Sequence, residues 1–259
     1  MFESVDFSKS KQYSLSIRLG TDGFSFSIAN PLDDRLPEVQ TFPVQEELPL
    51  TANLKLLFRE HGWLQHPFRR INLLIPGKRH TLVPLELFDE EQTEQLFHYN
   101  LPPQNNERIL YNILQKSGIV TLFGIDKSAA AYLHEQLPDA HLCSSAGTLI
   151  EYFSVKSRQG NSRKMYAYLR KESAELFCYE RGKLLLTNSY TCKETSDFIY
   201  YLLYTWKQLD FEQQRDELFL CGELPDKTAL LERLRKFIMQ VSVIPSSEHF
   251  DLQAITLCE

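Results

Sequence analysis

The chain has 259 residues, 43% of them hydrophobic and 24% charged, with a net charge of −6. This is globular composition, enough for one large domain or two lobes. The acidic balance speaks against a general nucleic-acid binder, which needs a basic footprint, so Arg69-Arg70 and Lys78-Arg79-His80 read as solvated surface.

Leu15, Ile17 and Leu19 share one face of an alternating run, and Phe24, Phe26 and Ile28 share a face of the next. Period two on both sides of Leu-Gly-Thr-Asp-Gly predicts a hairpin whose glycines can take positive φ. A third strand is expected over 38–44, shortened by Pro43. Leu54, Leu57 and Phe58 then recur at helical spacing, with Thr51 as the cap and Gly62 as the stop. The apolar run 70–77, halted by Pro76-Gly77, reads as a buried strand. TLVPLELF leads into a helix over 89–103, with Asp89 as its cap and Glu90 and Glu91 at the positive end of its dipole. The acidic cluster is therefore helix chemistry rather than a catalytic pair.

A second hairpin is expected over 108–115 and 118–125, around Lys116-Ser117-Gly118. Asp126 caps the next helix and Pro138 stops it; a short strand, 140–143, and a helix begun by serines follow. Polar residues 158–164 form a loop. The second half offers three successive strands (MYAYLR, ELFCYERG and KLLLTNSYT), with Gly182 at a tight reversal. A long amphipathic helix over 193–209, a buried strand over 216–224, a helix over 226–238 and a last strand over 239–245 complete the chain. Each half runs strands, helix, strand, helix, strand. This order predicts an α/β fold with mixed sheets, built as a duplicated lobe with a cleft between the copies.

Five cysteines, none in a C-x-x-C pair, fit a reducing compartment with thiols used as small apolar residues. The opening residues carry no signal-peptide pattern and no apolar run has bilayer length, so a soluble cytoplasmic protein is expected. There is no Walker loop, G-x-S-x-G elbow or H-E-x-x-H. His61, His66 and His80 read as surface or cleft histidines rather than metal ligands. Cys143, two residues from His141, reads as a core thiol rather than a nucleophile. The helix carrying Phe198, Tyr200, Tyr201, Tyr204 and Trp206 has more aromatic side chains than one buried face needs, and the surplus suits a partner surface.

Three stretches resemble known proteins: 71–102 (INLLIPGK…), 118–153 (GIVTLFGIDK…) and 165–202 (MYAYLRKESAELF…). Together they are similar to the actin-like ATPase superfamily, and within it to the cytoplasmic actin-like proteins of type IV pilus and type II secretion machines. The whole chain also resembles a domain-of-unknown-function family of the Bacteroides group. The resemblance implies two actin-like (ribonuclease H-like) lobes, 10–140 and 141–259, each a mixed sheet with a three-strand meander and flanking helices. In that superfamily a D-x-G-(T/S) turn in the first hairpin holds metal through its Asp and phosphate through its amides. Gly20 and Thr21 match, but Arg18 stands where the Asp belongs. A guanidinium has only donors and cannot accept from magnesium-bound water. In the second lobe's motif Tyr168 replaces the Asp and Arg170 the Gly. The adenosine motif keeps one glycine, Gly222, followed by Glu223.

The expected function is thus a non-catalytic actin-like domain, an interaction module or scaffold without cofactor or metal. Two alternatives stand beside it: a nucleotide-binding ATPase with rewritten motifs, and a small-molecule or anion sensor using the interlobe cleft. Another protein is the expected partner, with no nucleic acid and no direct membrane insertion; self-association stays open. In the pilus and secretion proteins a peptide from a membrane partner docks on the first lobe. The comparable stretch here is 84–99, where Leu85, Leu87, Leu96 and Phe97 would line a groove with Glu90 and Glu94 on its rim.

Overall fold

The computed structural model describes residues 5–21, 23–30, 32, 38–245 and 249–258, with side chains up to 255. Asp22, in the first expected turn, and the Cys258 thiol lie outside the described residues. The chain divides into two compact units, Met1–Thr148 with Ala254–Glu259, and Leu149–Gln253.

The first unit begins with the meander β1 (Ser14–Gly20), β2 (Gly23–Ala29) and β3 (Val39–Phe42), followed by α1 (Leu50–Glu60) and β4 (Arg70–Ile75). Next come β5 (His80–Pro84), α2 (Thr93–His98), β6 (Glu107–Leu114) and β7 (Ile119–Asp126). It continues with α3 (Lys127–Gln136), β8 (His141–Ser144) and α4 (Ser145–Ser157), whose last residues belong to the second unit. The second unit's own meander is β9 (Arg163–Arg170), β10 (Ser173–Glu180) and β11 (Lys183–Thr191). Then follow α5 (Thr195–Gln208), β12 (Glu217–Gly222), α6 (Lys227–Leu234), β13 (Gln240–Val243) and α7 (Phe250–Cys258).

The two five-stranded sheets share one topology. Their orders are β3-β2-β1-β4-β8 and β11-β10-β9-β12-β13. In each, the meander is antiparallel, while its first strand pairs in parallel with the fourth and the fourth with the fifth. The first unit inserts a small sheet, β5-β7-β6, where the second has only residues 223–226 between β12 and α6. Period two decides which face is oily. Leu15, Ile17, Leu19, Phe24, Phe26 and Ile28 meet Leu54, Leu57 and Phe58 of α1 and Ala129, Ala130 and Leu133 of α3. Met165, Ala167, Leu169, Leu176 and Leu218 meet Phe198, Leu202 and Trp206 of α5 in the same way.

Several local expectations are corrected. α1 starts after Pro49 without a side-chain cap; Thr51 lies inside the first turn, and its hydroxyl donates to Asp126 Oδ1 at 3.3 Å. The helix expected over 89–103 is shorter and split: Asp89 accepts from the Glu91 N–H at 3.1 Å and caps a 3-10 turn, Glu90–Gln92, ahead of α2. β5 and α7 are elements the sequence pattern did not mark. Arg79 is not solvated surface; it pairs with Glu107 at 2.7 and 2.6 Å and donates to the Pro102 carbonyl at 2.9 Å. The Asn112 amide acts as a piece of strand, donating to Leu142 O at 2.9 Å and accepting from Ser144 N at 2.8 Å along the outer edge of β8. No helix among the described residues is long and apolar enough to cross a membrane.

Candidate functional site

In open α/β sheets ligands collect at the carboxyl ends of the parallel strands. Each unit has a cavity there. In the first it measures about 270 Å³ and is lined by Gly20, Thr21, Glu46, Asn53, Pro76 and Asp126, among others. Asn53 ties the loop from β3 to α1: its amide accepts from Gln45 N at 2.8 Å and donates to the carbonyls of Gln45 and Leu48. Asp126 Oδ1 accepts from Ala129 N at 2.8 Å and Oδ2 from the Asn106 amide at 2.7 Å, so that carboxylate serves the cap of α3. Among the described residues this wall carries two carboxylates and no lysine or arginine. A phosphate would meet negative charge there.

The expected phosphate turn sits at this cavity without its cation. Gly20 closes β1 opposite Gly23, and Thr21 is exposed. Gly23 takes φ +144°, and a Cβ there would lie 3.0 Å from the Phe42 carbonyl, so β3's approach explains that glycine. Arg18 is 0% exposed, on the sheet face opposite the oily core, with Ser25 and Leu74 beside it on the neighbouring strands.

The second unit's cavity, about 380 Å³, is lined by Arg170, Lys171, Lys193, Glu194, Thr195 and Glu223, among others. It lies beside the start of α5, where the two N–H groups ahead of the helix are bonded to a side chain. Asp197 Oδ2 accepts from Lys193 N at 3.0 Å and Glu194 N at 3.1 Å. Tyr168 is 0% exposed, and its hydroxyl lies 3.5 Å from Asp251 Oδ1 on α7. Gly222 takes φ +88°; a Cβ there would run into the Leu169 carbonyl and the Tyr168 ring. The one glycine left in the adenosine motif is thus required by packing. Arg170 is half-buried and Glu223 exposed at their strand ends.

Strand register makes the comparison between units exact to the residue. Arg18 opposes Ser25 and Leu74, while Tyr168 opposes Glu175 and Cys221, at matching steps of matching strands. The two positions are equivalent, both buried, and neither is a carboxylate.

A family model described as a protein of unknown function, DUF3822, matches residues 3–241. The chain belongs to the DUF3822 family. A crystal structure from Bacteroides thetaiotaomicron, of a protein with an actin-like ATPase fold and unknown function, is similar at 52% identity and a TM-score of 0.87, covering 98% of this chain and 99% of that one. The PilM–PilN type IV pilus biogenesis complex matches with a TM-score of 0.58 at 13% identity, over 96% and 97% of the two chains. The ethanolamine utilization protein EutJ from Carboxydothermus hydrogenoformans matches with a TM-score of 0.51 at 9% identity, over 95% and 90%. No curated protein matches significantly. The DUF3822 chain therefore has the actin-like ATPase fold. That fold implies magnesium and ATP, and the residues present do not fit them. Arg18, a donor-only guanidinium, and Tyr168 stand buried at the two places where the fold would need carboxylates to hold the ion.

The stretch 84–99 divides. Phe97 is 0% exposed in a cluster with Val83, Val120 and Leu122, capped by the Arg79 guanidinium 5.6 Å from its ring, and so lines no groove. Leu85 and Leu96 pack half-buried on the same cluster. Leu87, 67% exposed, and the exposed Glu90 and Glu94 face solvent.

Cys143 is half-buried rather than in the core, and its Sγ lies 3.8 Å from the His141 carbonyl. The His61 and His66 rings pack on Phe42 and Phe7. Burial pushes the Cys178 thiol up to about 12, so it stays protonated. Asp251, which meets Tyr168, was missed because the Tyr168 site borrows from α7, whose apolar run carries no helical period.

Proposed function

We propose that this chain is a non-catalytic actin-like domain that works as a protein-interaction module or scaffold. The observation that carries this reading is the register equivalence of Arg18 and Tyr168, two buried residues at the paired places where magnesium would need carboxylates. Metal-assisted phosphoryl transfer rests on held ions and has little else to work with. The acid-lined first cavity supports the same reading. Phosphate release from Mg-ATP is expected at the level of buffer alone; magnesium-dependent turnover would contradict the proposal.

A structural relative, PilM, is found in complex with PilN. By analogy the proposed partner face on the first unit is the short exposed strip Leu87, Glu90 and Glu94. A cross-linker placed at Glu90 is expected to join one protein reproducibly from the native extract, and Leu87→Asp to abolish the product. Cross-links that survive Leu87→Asp unchanged would remove this face.

A further inference from the structure

The two five-stranded sheets have four edges, and three of them are protected. β3 and β13 are four residues long, and β8, also four, has the Asn112 amide along its edge. Short or covered edges are how soluble proteins avoid strand pairing with another chain. β11 breaks this pattern. It has nine residues, and among the described residues no strand pairs beyond it. Its first part is irregular, with a register shift opposite Cys178 and Tyr179. From Leu186 to Thr191 the ladder to β10 is regular, and that run has no charge and no proline. Asn188 Oδ1 accepts from the Ser189 N–H at 2.9 Å, a bond released by rotating one exposed side chain.

A tyrosine surface adjoins this edge. Tyr190 of β11 stacks on Tyr201 of α5 with ring centres 4.5 Å apart, and its hydroxyl meets Thr205 Oγ1 at 3.1 Å. Tyr200 leans on Tyr201 at 5.3 Å, and Tyr204 stacks on Tyr200 at 6.1 Å. Tyr200 and Tyr204 are 63% and 51% exposed. Paired exposed tyrosines are costly to leave in water and typical of contact surfaces.

We propose that β11 is where two copies of this chain pair, antiparallel and about a two-fold axis, to make one continuous sheet. An uncharged strand finds its match in another uncharged strand, and its own copy is one. With Asn188 opposite Asn188 of the second copy, Thr187 faces Ser189 and Leu186 faces Tyr190, pairs suited to cross-strand contact. The axis stands normal to the sheet and keeps both α5 helices on one face. Tyr200 and Tyr204 then flank the seam and supply side-chain area that six strand residues alone lack, against the roughly 1,000 Å² a specific interface needs. The inference deepens the interaction-module reading and rests on it only in taking the contact to be between proteins.

The test is sedimentation of the full chain from about 1 to 100 µM. The wild type is expected to shift toward twice the chain mass as concentration rises. Asn188→Lys, which sets two cations together at the seam, is expected to stay monomeric with an unchanged melting temperature. Tyr200→Ala with Tyr204→Ala is expected to weaken the dimer at least tenfold. A wild type monomeric throughout, or a dimer indifferent to Asn188→Lys, overturns the proposal. A monomeric wild type that also ignores Mg-ATP leaves the interaction-module reading standing with a different partner. Mg-ATP turnover by a β11 dimer would remove that reading and keep the dimer.

Discussion

The face of each sheet that turns away from the main oily core is filled by opposite means in the two units. In the first, Ser14, Ser16, Arg18, Ser25, Ser27 and Asn72 are all buried. Asn72 reaches Ser16 Oγ at 3.4 Å, and Ser25 and Thr41 pair at 3.1 Å. In the second, the places of Ser16, Arg18, Ser27 and Asn72 are held by Tyr166, Tyr168, Phe177 and Phe219. Tyr166 stacks between Phe153 at 4.3 Å and Phe219 at 5.0 Å, and Phe153 also meets Phe177 and Phe250. The topology is the same although one face is hydroxyl and amide and the other aromatic. What the units share is the period-two stripe on the opposite face, so that stripe sets the fold and the other face is free to diverge. Arg18 and Tyr168, on which the proposed function rests, both lie on the diverged face.

The contrast can be broken from the aromatic side first. Phe153→Ala removes the ring shared by Tyr166, Phe177 and Phe250. It should cost about 3–5 kcal/mol in chemical denaturation, whereas Ser27→Ala at the Phe177 place should cost under about 1 kcal/mol. Equal losses would mean the two faces are not built differently. Gly222→Ala should cost about 1–3 kcal/mol, since its φ of +88° and the Tyr168 ring both oppose a Cβ. The matching residue of the first unit is Ile75, which has a side chain already. A neutral Gly222→Ala would detach that glycine from Tyr168 packing.

A smaller effect has a pH signature. Burial alone would raise the Glu217 carboxyl, but hydrogen bonds from Lys164 and Ser162 and the Lys164 charge hold it below its ordinary 4.5. Lys164 Nζ lies 2.6 Å from Glu217 Oε1. A carboxyl depressed in the folded state adds stability above its unfolded value and loses it as pH falls through the folded one. Glu217→Gln should therefore cost about 1–2 kcal/mol near neutral pH, with the gap to wild type closing as pH falls below 4.5. A gap independent of pH would assign the loss to packing. The first unit, with Arg70 at that place, has no counterpart. Smallest is Tyr168→Phe: a 3.5 Å contact to Asp251 should yield under about 1 kcal/mol.

The stripe that sets the fold was the part legible in the sequence. Alternation at Leu15–Leu19 and Phe24–Ile28, and the order of strands and helices, announced both sheets. β5 escaped because its short run ends at Pro84 beside another turn, and α7 because its apolar residues, interrupted by Asp251 and Gln253, follow no helical period. The site was legible as chemistry and illegible as placement. That Arg18 replaces a carboxylate could be read from the turn. That it is fully buried could not, since arginine almost never is. Phe97 failed in the reverse sense: its spacing fits an exposed groove, but α2 turns it under Arg79 into the small sheet's core.

A thermal melt with millimolar ATP and magnesium bears most directly on the proposal that this domain does no metal chemistry. If Mg-ATP bound at about a thousandfold above its Kd, it would stabilise the fold by roughly 4 kcal/mol. For a chain of this size that is a rise on the order of 8–16 °C. With Arg18 and Tyr168 at the two metal positions, the expected result is a midpoint unchanged by nucleotide, with or without magnesium. A magnesium-dependent rise of several degrees that disappears in Arg18→Ala would contradict the account and favour a working nucleotide site.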